Sequence, residues 1–151
     1  MILKIVSAAS LLILLGAYLP AAYAVCLDPG TGKSGYKIPL KREVRTAEAI
    51  VIGRVLSEHR LREEADDPDG ITASNLTVKV LKKLKGTLSG VIVLRNENTS
   101  SRYPMSVGEE HILFVSRTNH EMWIESCGNS DVMPHGEQVA RKVRAQLRAM
   151  K

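Results

Sequence analysis

"IVIGRVL", residues 50–56, decides how this chain folds. Four of its seven residues (Ile50, Val51, Ile52 and Val55) are β-branched. The apolar run is continuous rather than alternating, which reads as a strand buried over most of its surface. Gly53 inside it predicts a bulge or a sharp coil of the strand. Just upstream, residues 42–49 favour a short helix. Before that, residues 27–41 hold Pro29, Gly30, Gly32, Gly35 and Pro39, which is loop chemistry.

Downstream, residues 58–70 are the most polar stretch and read as a solvated hairpin loop. From Ile71 to Leu84 the strand pattern resumes, with Leu76, Val78 and Val80 alternating with Thr77, Lys79 and Leu81. Residues 91–94, 111–115 and 122–127 supply three more strands, the last two separated by a turn at Asn119-His120. Five strands with little helix between them favour a small closed β barrel or a sandwich. From Gly136 the tail is helical, with Val139, Val143, Leu147 and Met150 on one side. Packing of that stripe on the β domain is expected.

The first 24 residues carry one charge, Lys4, then an apolar core, Leu19-Pro20, and the small residues of Ala22-Tyr23-Ala24. This is the pattern of a secretory signal peptide cut after Ala24. An uncleaved anchor and an acylated Cys26 are the less favoured readings. The expected organisation is a signal peptide over 1–24, a β domain over 25–134 and a basic amphipathic helix over 135–151. Export to a periplasmic or extracellular location follows. Two cysteines in an exported chain, Cys26 and Cys127, read as one disulfide.

Charge narrows the partners. The formal balance is +5, and residues 135–151 hold five basic side chains against Glu137. Residues 25–134 hold 15 basic and 15 acidic side chains, so the body is neutral. A nucleic-acid partner needs a basic face on the folded body and is not expected. The four histidines have no H-E-x-x-H spacing, and no G-x-S-x-G or phosphate-cradling glycine loop is present. No catalytic residue, metal ligand or cofactor is read from the sequence, and a non-enzymatic protein is expected. His111 reads as an exposed or satisfied strand position.

Four segments occur in a telling order: AEAIVIGRVL (47–56), LTVKVLKKLKGTLSG (76–90), VGEEHILFV (107–115) and WIESCGNS (123–130). Together they resemble bacterial exported proteins similar to the N-terminal domain of the tissue inhibitors of metalloproteinases, the netrin-like group. The resemblance implies an all-β, five-stranded barrel of the oligonucleotide/oligosaccharide-binding (OB) type. It also implies a binding module whose partner is a secreted metallopeptidase or another envelope protein. In the animal inhibitors an N-terminal cysteine offers its amine and carbonyl to the protease's zinc. The matching segment here is Val25, Cys26, Leu27 and Asp28, the candidate partner-binding residues. Asp28 stands where those inhibitors carry a second cysteine. A cut after Ala24 leaves Val25 ahead of Cys26, so Cys26 is expected to be structural. The alternative is an envelope-associated structural or ligand-binding protein whose basic C-terminal helix contacts anionic lipid or a partner.

Overall fold

A computed structural model describes residues 26–64, 66, 70–100 and 102–150. The expected signal peptide, residues 1–24, and the candidate residue Val25 lie outside the described residues. The elements run α1 (Leu40–Thr46), β1 (Ala49–Arg62), β2 (Ile71–Lys85), β3 (Val91–Glu97), β4 (Glu110–Thr118), β5 (Glu121–Ile124), β6 (Asp131–Val132) and α2 (Gly136–Ala149). All strand pairings are antiparallel, in the order β3-β2-β1-β4-β5, with β6 also on β4.

The continuous apolar run of β1 is explained by its place in the middle of this sheet. Val51 and Val55 face one core, with Leu76, Val78, Ile92, Leu94, Leu113, Val115 and Ile124. Ile50 and Ile52 face the other, with Ile112, Phe114 and the helix residues Val44, Ala140 and Val143. A strand covered on both faces has no place for polar residues, so alternation disappears. Gly53 sits at a register shift between β1 and β2, as expected of a glycine inside a strand. A Cβ there would stand 2.6 Å from Val78 Cγ1.

The sheet curls around the first core but stays open, which corrects the expected closed barrel. No hydrogen-bonded ladder joins the edge strands β3 and β5 among the described residues. β5 is four residues long, and the Arg95 side chain with its carboxylate partners stands beside it. Side chains rather than backbone groups therefore meet across the gap.

Three further boundaries differ from the sequence reading. β1 runs to Arg62, so residues 58–62 are strand and not loop. They are polar because this end of β1 pairs with β2 beyond the core, and Ser74 Oγ donates to Glu58 Oε1 at 2.6 Å. α1 ends at Thr46 and Ala49 already belongs to β1. The short β6, placed by its pairing with His111 and Ile112, has no periodicity of its own to reveal it. The Asn119-His120 turn is present, with both residues at positive φ, the geometry of a tight primed hairpin.

The stripe of α2 packs as expected for Val139, Val143 and Leu147, with Ala140 added. Met150 departs from it and is 50% exposed, because it follows the last helical residue. Among the described residues no helix is long and apolar enough to cross a membrane.

Candidate functional site

The N-terminal segment forms a small hairpin before α1. Leu27 bridges Ser34, Asp28 N–H donates to Lys33 O at 2.8 Å, and Tyr36 N–H donates to Cys26 O at 3.0 Å. Asp28 organises the turn. Its Oδ1 accepts from Gly30 N–H (2.9 Å), Thr31 N–H (2.8 Å) and the Thr31 hydroxyl (3.0 Å). Those Thr31 and Gly30 bonds hold its carboxyl below the ordinary value. The carboxylate is thus used inside the hairpin.

The base of the hairpin is fixed to the exit of β5. Cys26 and Cys127 form a disulfide with Cα atoms 5.6 Å apart, and Ile38 N–H donates to Cys127 O at 2.9 Å. Two residues further on, Asn129 Nδ2 donates to Ile38 O (2.8 Å) and to Glu43 Oε2 (2.6 Å). Its backbone N–H donates to the same Glu43 oxygen at 2.7 Å. Glu43 is 5% exposed, and burial raises its carboxyl above the ordinary value against the pull of the Asn129 bonds. Gly128 leaves the room for this carboxylate, since a Cβ there would lie 2.1 Å from Glu43 Oε1. The disulfide indicates an oxidising, exported location.

Of the four candidate residues, three are therefore described, and they differ. Cys26 is a half-buried anchor, Asp28 is a turn residue, and Leu27 is 56% exposed. Leu27 thus stands out into solvent on a hairpin whose base is anchored.

A second site lies on the other side of the β5 exit. A cavity of about 420 Å³ spans the gap between β3 and β5, with Arg95 and Glu97 on one wall and Trp123 and Ser126 on the other. Arg95 is 18% exposed and tied to its neighbours. It donates to Glu63 in a bidentate pair (2.8 and 2.7 Å) and to Glu97 (2.5 Å), and Glu121 Oε1 lies 3.8 Å away. The Arg95 bonds, with one from Thr72, bring the Glu63 carboxyl down to about 2. This cleft was not read from the sequence. One signal was present: Trp123 sits between the core-facing Met122 and Ile124, so alternation sends it outward.

His111 is 1% exposed and faces the first core. The Tyr103 hydroxyl lies 2.9 Å from its Nδ1, and Glu109 Oε2 is 3.3 Å from Nε2. Burial lowers the imidazole and raises the phenol from their ordinary values, so both stay neutral near pH 7. The group ties the loop after β3 to β4. The sequence reading, an exposed or satisfied strand position, holds only for Nδ1: the ring is buried, and Nε2 makes no hydrogen bond.

No protein-family model matches this chain, and no curated protein matches it. The resemblance to the tissue-inhibitor group therefore rests on the four sequence segments alone.

Proposed function

We propose that this chain is an exported, non-catalytic binding module that engages a protein partner through the hairpin of residues 26–36. The observation that carries this reading is Leu27, 56% exposed on a hairpin whose base is fixed by a disulfide and by the Asn129 bonds. Anchoring before contact lowers the ordering cost that a flexible segment would meet on binding. The tissue-inhibitor resemblance gives the partner its specific form, a secreted metallopeptidase. The thiol of Cys26 is in the disulfide and is not a zinc ligand. Its amine is one only if the mature chain begins at Cys26.

The test is inhibition of secreted metallopeptidases by protein of verified N-terminal sequence. Inhibition at micromolar concentration or below is expected. Leu27→Glu is expected to weaken it by at least about tenfold, or about 1.4 kcal/mol. Absence of inhibition across a panel, or a Leu27→Glu variant of unchanged potency, removes the reading.

A second reading, contact of α2 with anionic lipid, is favoured by charge alone. Arg141, Lys142 and Arg148 are exposed, whereas the apolar stripe packs against the sheet. Deleting the helix would uncover Ile112 and Phe114, so charge reversal at those three residues is the proper probe with anionic vesicles.

A further inference from the structure

We propose that the cleft between β3 and β5 binds a neutral oligosaccharide, with Trp123 as its stacking platform. Trp123 is the only tryptophan of the chain. It is half-buried, lines the cleft and belongs to neither core. The one aromatic pair among the described residues is Tyr103 with His111, so no ring covers the indole. A rigid, amphipathic indole gives a large contact area at low entropic cost. It suits the C–H face of a pyranose ring, which is apolar, while the ring's edge carries hydroxyls.

The rest of the lining supplies what those hydroxyls need. A hydroxyl both donates and accepts, so its partners must include both kinds of group. Arg95 brings guanidinium donors, and Glu97 and Glu121 bring carboxylate acceptors, fixed relative to one another by their ion pairs. Asn96 and Asn119 in the same lining add amides with both capacities. The volume of about 420 Å³ lies within the usual range for small-ligand sites.

Charge argues against the other ligand classes. Two arginines, Arg95 and Arg102, face Glu97, Glu121 and Glu125 in the lining. Arg95 is already matched by Glu63 and Glu97. The lining thus has no surplus of positive charge for a phosphate, a sulfated sugar or a nucleic acid. Its carboxylates are partly spent as well: Glu97 on Arg95, and Glu125 Oε1 on the Cys127 N–H at 3.4 Å. No group of three or more His, Cys, Asp or Glu suited to a metal occurs among the described residues. A purely apolar ligand would desolvate the Arg95 network without replacing its water contacts. A neutral polyol satisfies the stacking surface and the polar wall together.

The lone tryptophan makes the test direct, because intrinsic fluorescence reports on Trp123. Chitotriose, maltotriose and cellotriose are titrated into the intact disulfide-bonded protein, followed by fluorescence and calorimetry. A sulfated disaccharide serves as the anionic control. A saturable change with at least one neutral trisaccharide is expected, with affinity in the micromolar to millimolar range. Trp123→Ala, read by calorimetry, is expected to weaken binding by at least about tenfold. Trp123→Phe keeps a smaller platform and should fall between, which covers the case where the alanine variant is poorly folded. The proposal is overturned if none of the three sugars binds at millimolar concentration. It is overturned equally if binding survives both substitutions unchanged, or if the sulfated sugar binds more tightly than every neutral one.

Discussion

Glu43 allows a test in which the sign of a pH effect follows from the structure. The carboxylate is buried on α1, with Oε2 taking both Asn129 bonds and Oε1 without a hydrogen-bond partner. Desolvation, the largest influence, raises its folded-state value above the ordinary 4.5, aided by Glu125 and opposed by Asn129 and Lys37. A carboxyl raised on folding binds its proton more tightly in the native state. Its contribution is fully present below about pH 4.5 and is lost as pH rises through the folded value. Glu43→Gln keeps the shape and an oxygen for Asn129 but never ionises. The stability of the glutamine variant relative to the parent should therefore rise with pH above about 4.5, by at most about 1.4 kcal/mol per pH unit. It should level off once the native carboxyl is ionised. Glu43→Ala is different: it strands the buried Asn129 N–H and should cost about 2–4 kcal/mol at pH 7. Urea unfolding of the three proteins from about pH 4 to about pH 8 measures both effects. A gap between parent and glutamine variant that stays constant, or that favours glutamine on acidification, would refute the argument from burial.

Two further outcomes follow from the same scaffold. Replacing Cys26 and Cys127 by serine opens a loop spanning 101 residues and should lower stability by up to about 4–5 kcal/mol in urea unfolding. A loss under about 1 kcal/mol would mean that the hydrogen bonds from Ile38 N–H to Cys127 O and from Asn129 Nδ2 to Ile38 O hold the segment without the disulfide. Gly53→Ala places a methyl 2.6 Å from Val78 Cγ1 and 3.2 Å from Lys79 O, and should cost about 1–3 kcal/mol. Combining it with Val78→Ala should destabilise less than the sum of the two single changes, and strict additivity in that cycle would show that Val78 is not the contact that matters.

The sequence by itself determined strands β1 to β5, the tail helix with most of its packed stripe, and the cysteine pair. Each of these follows from local pattern: β-branched runs, a 3.6-residue spacing, and the presence of just two cysteines in the chain. Even the bulge at Gly53 was legible, because a glycine within an apolar run has few other uses. Position relative to distant residues was not legible. Glu43 reads as an ordinary helical glutamate until Asn129, 86 residues away, closes on it. Arg95 and Glu63, 32 residues apart, make a fixed wall only when β2 lies between the end of β1 and β3. Whether the five strands close is decided by how β3 and β5 meet at the ends of the sheet, and no local period encodes that. The tertiary structure left that seam open, filled it with side chains, and so made the cleft beside Trp123.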